Sequence, residues 1–478
     1  QPFASILAKN LTHFSFYNLI SLERIGWWMS IGSIFAFIPY FPLSKHIHLI
    51  AAPINYLLKP HRTSLGALPP IDFEDEDIQE LGVQRLEQLG QSQLIDAFAC
   101  IMCNRCQDVC PAYVTGKELS PAALEVNKRH MINIDMAAIA AGESTEPLLD
   151  HAISSSALWA CTTCGACVDI CPVGNEPMFD IVDLRRHQVL TTGEFPNSLQ
   201  NAFNGMERQG NPWQANEDRM AWCAGLNVPT VEDNPNFEYL YWVGCAATYD
   251  PIAKGVARSF VKILNAANVN YAVLGAQERC TGDTARRSGH EYLFSEMATR
   301  NISTLSSVRA RKIVVTCPHC LHTLGAEYVQ FGCDLEVVHH TTLINDLINS
   351  GRLDLNSKSD EHQTITFHDP CYLGRHNGVF DDPRSVLESG GVKLTEMDRN
   401  KKDSFCCGAG GGQMWKEEEP GRKSVSAERL AEAKSTGADV IAVACPFCRV
   451  MMNDANSTDG DTIQIKDVAE IVAESIAE

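Results

Sequence analysis

Two cysteine runs with one shared spacing constrain this chain more than any other feature. Both read C-x2-C-x2-C-x3-C-P. The first consists of Cys100, Cys103, Cys106 and Cys110, and the second of Cys161, Cys164, Cys167 and Cys171. Such spacing lets thiolates converge on iron–sulfur clusters, and in two-cluster ferredoxins the fourth cysteine of each run ligates the other cluster. The runs therefore predict two [4Fe–4S] cubanes, one held by Cys100, Cys103, Cys106 and Cys171, the other by Cys161, Cys164, Cys167 and Cys110.

Zinc and disulfide bonds are the alternatives for these eight cysteines. Zinc sites favour C-x2-C pairs separated by a spacer. Disulfide frameworks dominate small secreted domains, whereas this chain has 478 residues. Thiolate ligands need a reducing compartment, so the cysteine-rich part is expected on the cytoplasmic side.

Length and charge set broad limits. A chain of 478 residues predicts about three domains. The formal net charge of −20 argues against nucleic acid as a partner. Because the sequence starts at Gln1 rather than Met, we expect a processed, trimmed or partial chain.

An uncharged stretch near the start predicts a membrane segment. Arg24 and Lys45 bracket residues 25–44, which at 1.5 Å per residue would cross a hydrocarbon core of about 30 Å. A single transmembrane helix is expected there, with residues 1–20 as a loop on the far side and residues 44–58 at the interface. Lys45, Lys59 and Arg62 place the following domains in the cytoplasm by the positive-inside rule. A buried helix of a soluble domain is the alternative.

His46 and His48 lie at this predicted membrane boundary. Histidines in such a place can ligate haem, line a quinone pocket or simply be solvated. The sequence leaves these three interpretations open.

A second cysteine system occurs twice after residue 239. The copies are offset by 126 to 128 residues, and each ends in a C-P-x-C motif. The first copy has Cys245, Cys280, Cys317 and Cys320, and the second has Cys371, Cys406, Cys407, Cys445 and Cys448. Thr281 stands in the first copy where the second has Cys407. Four thiols suit a [4Fe–4S] cluster or zinc, or a lobe that is only structural, whereas five exceed what a cubane needs.

The C-P-x-C motifs follow apolar β-branched runs at 313–316 and 440–444, which are typical of buried strands in a parallel sheet. Helical patterns cover 252–267, 293–306 and 424–434, and another, 121–140, lies between the two ferredoxin runs. Alternating strands and helices predict two pseudo-symmetric α/β lobes with cysteines on loops at the strand ends. The glycine-rich segment 408–412 lacks the Lys-Ser/Thr end of a phosphate loop, so it indicates backbone room beside a cluster.

At these residues the chain resembles the cysteine-rich CCG-domain family, which includes catalytic subunits of heterodisulfide reductases. The resemblance implies a noncubane [4Fe–4S] cluster in the second lobe. Its ligands would be Cys371, Cys406, Cys407, Cys445 and Cys448, which are also the expected catalytic residues. In the first lobe, Thr281 departs from the pattern, so Cys245, Cys280, Cys317 and Cys320 are expected to hold [4Fe–4S] or zinc.

Two further segments, PLSKHIHLIAAPINYLLKP and RCTGDTARRSGHEYLF, resemble family members fused to a nitrate-reductase-gamma-type cytochrome b. That group is similar to electron-transfer-flavoprotein:menaquinone oxidoreductases. The resemblance implies an oxidoreductase in the cytoplasmic membrane that takes electrons from electron transfer flavoprotein or another flavoprotein. The acceptors would be b haem, carried by an unseen segment or a cytochrome b subunit, and menaquinone.

Three other functions remain open. A disulfide reductase would need an open cleft between the lobes, a 2-hydroxyacid oxidase component would draw electrons from a flavin subunit, and an assembly subunit would hold structural clusters.

The predicted fold class is α+β and α/β with an N-terminal transmembrane helix. Its parts are a membrane segment at 1–65, a helical two-cluster ferredoxin-like domain at 66–190, a connector at 191–238, a first CCG lobe at 239–350 and a second at 351–478.

Overall fold

The computed structural model describes residues 2–75, 80–355, 364–460 and 463–476. Fourteen helices have eight residues or more. They are Pro2–Leu11, Phe16–Tyr40, His48–Leu58, Gln91–Ala99, Pro121–Ala141, Pro177–His187, Asn197–Gln209, Lys254–Ala266, Glu291–Ser307, His340–Asn349, Asp382–Ser389, Val425–Ser435, Pro446–Thr458 and Val468–Ser475. Two segments lie outside the described residues: 76–79, and 356–363 at the join between the two predicted lobes.

The N-terminal segment differs from its predicted form. Pro2–Leu11 is helical, so the expectation of a loop at residues 1–20 is wrong. The next helix, Phe16–Tyr40, begins at the cap Ser15, whose Oγ accepts from the backbone N–H of Asn18, and none of its side chains is buried. It ends just after Pro39, so residues 25–44 do not form one helix.

The helices of the described residues meet the requirements for crossing a membrane only in part. None of them is, by itself, long and apolar enough to span a bilayer. The helix Phe16–Tyr40 and the segment Lys45–Leu58 meet the length and composition requirement as a pair, with a bend of 81° between them.

The segment after the bend is anchored on the ferredoxin-like region rather than lying free. The helix His48–Leu58 continues through Pro53 and packs against Gln91–Ala99. Asn55, fully buried, donates to Asp96 Oδ1 at 2.6 Å, and Lys59 pairs with the same carboxylate at 2.8 Å. The opposite face stays exposed, with Leu57 at 83%.

Two four-stranded parallel sheets form the C-terminal half. The first consists of β1 (Tyr239–Trp242), β2 (Tyr271–Val273), β3 (Lys312–Val315) and β4 (Glu336–His339), in the order β2-β1-β3-β4. The second consists of β5 (Thr364–Phe367), β6 (Lys393–Leu394), β7 (Val440–Val443) and β8 (Gln464–Asp467), in the order β6-β5-β7-β8. The same order in both sheets confirms the repeat seen in the cysteine spacing.

The predicted strands before the C-P-x-C motifs are confirmed as β3 and β7. Both are central in their sheets, where side chains on the two faces meet covering helices, and β7 is buried at every position. The helices predicted at 252–267, 293–306, 424–434 and 121–140 are also present, with ends shifted by at most two residues.

Candidate iron–sulfur sites

The two ferredoxin runs adopt one unusual backbone path. Positive φ occurs at Met102 (54°) and Asn104 (64°) in the first run, and at Thr163 (49°) and Gly165 (73°) in the second. In each run, one of these residues lies two positions after the first cysteine and the other lies directly after the second cysteine. A one-turn helix begins at the next residue. Left-handed backbone at non-glycine residues costs about 1–2 kcal/mol each and persists where the surroundings impose it. The shared path curls each run around a common centre toward which its cysteines can turn.

The thiols lie together in the crossed sets that the spacing predicts. Cys171 is a close electrostatic neighbour of Cys100 and Cys106. Cys110 in turn neighbours Cys161 and Cys164. The ligand assignment itself stays a prediction.

The chemistry of these cysteines suits a metal cluster. Burial raises the pKa of the Cys100 thiol to about 11 and that of Cys106 to about 12. Such thiols keep their protons unless a metal ion displaces them. Backbone N–H groups already point at sulfur, because Asn175 N donates to Cys171 Sγ at 3.2 Å and Thr163 N to Cys161 Sγ at 3.4 Å. The two sets therefore fit [4Fe–4S] clusters.

The second lobe gathers its five cysteines into one buried group. Cys406 neighbours Cys371 and Cys407, and Cys448 lies beside both Cys407 and Cys445. The sequence brings them together because Cys445 caps the helix Pro446–Thr458 and Cys448 sits in its first turn. Proline directly after a helix cap is favoured, since its missing N–H would have no helical partner.

The first lobe repeats this arrangement with one change. Cys317 caps the helix Pro318–His322, and Gly282 N donates to Cys280 Sγ at 3.5 Å, as Gly408 N donates to Cys406 Sγ at 3.3 Å in the second lobe. Thr281 Oγ1 lies 3.9 Å from Cys320 Sγ, in the place where Cys407 meets Cys448. A hydroxyl thus replaces the fifth thiol, and four thiols converge in this lobe.

Two contacts between cysteines join the sets: one links the second ferredoxin run to the second lobe, and the other links the second lobe to the first. Cys164 of the second ferredoxin run neighbours Cys406 of the second lobe. Cys317 of the first lobe neighbours Cys445 across the boundary between the lobes. Sequence spacing carries no signal for either contact, because each joins segments more than 120 residues apart. Cys223 and Cys333, which fit neither pattern, pack in the hydrophobic core.

A stack of aromatic rings lies where the second ferredoxin run, the second lobe and the first lobe meet. Tyr372 stacks between His319 and His376, with ring centroids 4.1 Å apart on both sides. Its hydroxyl lies 3.0 Å from Thr163 Oγ1, in the second ferredoxin run. Each of these residues is within five positions of a cysteine in sequence, so the stack fixes the three groups relative to one another.

Buried ion pairs support the same junction. Burial alone would raise the pKa of Glu327, but the guanidinium groups of Arg287 and Arg286 hold it well below its usual range. Arg287 Nη2 lies 2.7 Å from Glu327 Oε1, and Asp283 accepts from Arg287 Nε at 3.2 Å. His319 Nδ1 approaches Asp283 at 2.9 Å. This network fixes the C-P-x-C helix of the first lobe.

Two arginines that hold the domains together have no local sequence motif. Arg185 is fully buried and donates five hydrogen bonds to carbonyl oxygens, including Cys161 O at 2.8 Å, Arg287 O at 3.0 Å and Gly411 O at 3.1 Å. Arg375 donates to Cys164 O at 3.0 Å. Both place positive charge beside the second ferredoxin run, which suits an anionic cluster.

Among the described residues, His368 forms a possible metal-binding group with two of the second-lobe thiols. A ring nitrogen of His368 lies within 4.8 Å of the Sγ atoms of Cys407 and Cys448, and all three residues are buried. Arg429 Nε lies 2.9 Å from His368 Nδ1. Burial, with the Arg429 charge, lowers the pKa of His368 to about 3. The imidazole is therefore neutral.

His46 and His48 make local contacts instead of facing one another. His46 Nδ1 lies 3.0 Å from Ser44 Oγ, and His48 Nδ1 approaches the carbonyl of Lys45.

Comparison with known proteins agrees with this architecture. The Cysteine-rich domain family matches residues 239–325 and 365–453, and the 4Fe-4S dicluster domain family matches residues 92–172. The "Probable iron-sulfur-binding oxidoreductase FadF" of Bacillus subtilis is 38% identical over all of this chain and 73% of its own length. The chain belongs to the CCG-domain iron–sulfur oxidoreductases.

Two other relatives show the range of this family. The "EtfAB:quinone oxidoreductase" of Syntrophomonas wolfei is 34% identical over 99% of this chain and 71% of the relative. A dihydromethanophenazine:CoB–CoM heterodisulfide reductase component of Methanosarcina barkeri is 32% identical over 82% of this chain and 96% of the relative. Like them, this CCG-domain protein is an iron–sulfur oxidoreductase.

A Cys407→Ala variant separates the second lobe from the ferredoxin runs. We expect it to lose the EPR signal of the second-lobe cluster and to keep those of both cubanes, because Cys407 contacts Cys406 and Cys448, which both belong to the second lobe. EPR of the reduced and oxidised protein, with iron content, is the measurement. Cys333→Ala, which also removes a buried thiol, should leave every signal unchanged. Survival of all signals in Cys407→Ala would refute the five-thiol assignment.

Proposed function

We propose that this chain carries electrons from a soluble flavoprotein of the electron transfer flavoprotein type to menaquinone at the cytoplasmic membrane. Two [4Fe–4S] cubanes would be held by the ferredoxin runs, a noncubane [4Fe–4S] cluster by the second lobe, and a [4Fe–4S] cluster or zinc by the first lobe. These groups supply one-electron transfer when bound. A b haem would reside in a cytochrome b segment or subunit.

The observation that carries this proposal is the unbroken series of neighbouring thiols. It runs from the first ferredoxin run through the second, and by the contact of Cys164 with Cys406 into the second lobe. An electron relay needs closely spaced centres and few acid–base groups. Here the protein's own contribution is to keep the thiol sets adjacent and the second-lobe thiols buried.

The N-terminal helices support attachment to a membrane. Phe16–Tyr40 has no buried side chain, and its exposed apolar residues include Trp28 and Phe35, at 65% and 67% exposure. The segment that follows is fixed to the ferredoxin-like region by Asn55 and Lys59. An electron acceptor in the bilayer would therefore lie nearest the first ferredoxin run, whose Cys100 follows the helix Gln91–Ala99.

Burial of the second-lobe cysteines favours a relay over direct reduction of disulfides. Their exposures run from 1% at Cys445 to 8% at Cys371. In addition, Cys317 and Cys445 meet at the lobe boundary, where a disulfide substrate would have to enter. Because one relative is a heterodisulfide reductase component, reduction of disulfides is the second candidate function and is included in the test.

The test uses the purified full chain in its membrane complex. Reduced electron transfer flavoprotein should bleach the iron–sulfur absorbance, and a menaquinone analogue should restore it. A heterodisulfide added in place of the quinone should leave the bleached state unchanged. Absence of reduction by the flavoprotein, combined with rapid reoxidation by the heterodisulfide, would overturn the proposal in favour of disulfide reduction.

A further inference from the structure

His368 is placed by the fold to face the second-lobe thiols. It follows β5 directly, and its backbone N–H donates to Ala442 O of β7 at 2.9 Å, which extends the sheet by one residue. The side chain is fully buried. Cys407, on a loop, and Cys448, in the first turn of the helix Pro446–Thr458, both have Sγ within 4.8 Å of a ring nitrogen of His368.

Arg429 selects one tautomer of this imidazole. Arginine has donors and no acceptor, so the 2.9 Å contact between Arg429 Nε and His368 Nδ1 requires Nδ1 to accept. A neutral imidazole that accepts at Nδ1 carries its proton on Nε2. Arg429 is itself fixed, because Nη1 donates to Arg399 O at 2.9 Å and pairs with Glu432 at 2.8 Å. The tautomer is therefore set by the protein.

The Nε2–H group produced in this way has no hydrogen-bond partner among the described residues, although it is buried. A buried donor without a partner loses its hydrogen bond to water and gains none in return, so such a group usually has a partner. Nδ1 is occupied by Arg429. The nitrogen that remains for the sulfur side of the ring is Nε2.

We propose that His368 donates a hydrogen bond from Nε2 to a sulfur of the iron–sulfur cluster in the second lobe and so raises the reduction potential of that cluster. The inference rests on the proposed function only in requiring a cluster at these five thiols. A donor toward sulfur stabilises the more negative, reduced state, and such hydrogen bonds are among the factors that set cluster potentials.

Direct ligation by His368 fits the structure less well. A metal at Nε2 would need its lone pair, which moves the ring proton to Nδ1. That proton would then meet the Arg429 Nε–H at 2.9 Å, donor against donor. The five cysteines already provide more thiolates than four iron ligands require. His368 is accordingly a positioning and tuning residue, not a ligand.

The first lobe offers a matched control at the corresponding position. Trp242 stands three residues before Cys245, as His368 stands three before Cys371. It is buried, and its Nε1–H also has no hydrogen-bond partner among the described residues. Trp242→Phe removes this N–H from the other lobe and keeps an aromatic ring.

The experiment compares His368→Phe, which removes the donor, with His368→Gln, whose amide N–H can replace it. In the full chain, His368→Phe should retain iron and sulfide, and an EPR-monitored redox titration should show the second-lobe cluster shifted toward the oxidised form by about tenfold, equal to about 59 mV for one electron. His368→Gln should recover part of that shift. Trp242→Phe should leave the second-lobe potential unchanged.

Three outcomes would overturn the inference. They are an unshifted potential in His368→Phe, loss of iron in both His368 variants, and a nitrogen coupling of the size of direct iron ligation in pulsed EPR of ¹⁵N-histidine-labelled protein. Absence of a cluster from the second lobe can be told apart from these outcomes, because the wild-type protein would then show no second-lobe EPR signal. That result would overturn the inference as well.

Discussion

Gly411→Ala should lower the thermal stability of the loaded protein and slow electron exchange between the second lobe and the ferredoxin-like region. A Cβ at this position would lie 2.2 Å from the carbonyl oxygen of Cys161, and the backbone has φ of +65°. Its neighbour Gly410 is equally close to Thr162 O, at 2.3 Å. The glycine-rich segment therefore lies directly on the second ferredoxin run.

The size of the effect follows from two costs. Left-handed φ at alanine costs about 1–2 kcal/mol, and overpacking against a rigid backbone adds about 1–3 kcal/mol. Arg185 donates to the carbonyl oxygens of both Cys161 and Gly411, so the second lobe can move away from the ferredoxin run only by breaking one of these hydrogen bonds. That movement would separate Cys406 from Cys164.

Gly437→Ala is the matched control for this prediction. Gly437 has φ of +70°, and no heavy atom lies within 4 Å of the position that an alanine Cβ would take there. The Gly437→Ala variant therefore carries only the cost of placing alanine in left-handed backbone. Differential scanning calorimetry and stopped-flow reduction of the clusters are the measurements. Equal thermal midpoints for the two variants, with unchanged reduction rates, would contradict the proposed close approach.

Arg185→Met should have the second large effect. It removes a buried cation and leaves four carbonyl oxygens, those of Leu158, Cys161, Arg287 and Gly411, without their donor. Leaving buried acceptors without a donor costs about 1–3 kcal/mol each. It should also lower the potential of the cluster beside Cys161, because a nearby positive charge favours the reduced state.

Arg185→Lys and Arg208→Met distinguish charge from hydrogen bonding. Lysine keeps the charge and loses the guanidinium fork, so the potential should stay near wild type while the thermal midpoint falls. Arg208 is exposed on the helix Asn197–Gln209, and its loss should change neither quantity. A midpoint for Arg185→Met equal to that for Arg208→Met would disprove the role of Arg185 in joining the three regions.

Local features of the site could be predicted from the sequence. The strands β3 and β7, the helices before them and the repeat all follow from short-range patterns. The C-P-x-C motifs work because a cap and the first helical turn always bring positions i and i+3 together. The uncharged stretch 25–44 predicted a spanning helix, whereas Pro39 and Pro42 near its C-terminal end favour an early end, and the helix stops at Tyr40.

Contacts between distant segments could not be predicted in this way. The pairing of Arg429 with His368 spans 61 residues, and that of Cys164 with Cys406 spans 242. Nothing in either local sequence names the partner. Glycines 408–412 indicated close approach of a backbone, but only the fold identifies the second ferredoxin run as the segment approached.

The sequence by itself determined which thiols form sets, because ligand spacing and strand–helix alternation are encoded within a few residues. The tertiary structure alone decided how these sets meet: that Cys406 lies against Cys164, that Arg185 joins three regions, and that a ring nitrogen of His368 lies close to two second-lobe thiols. The physical reason is that these contacts depend on how whole domains pack, and packing sums many weak contacts along the chain.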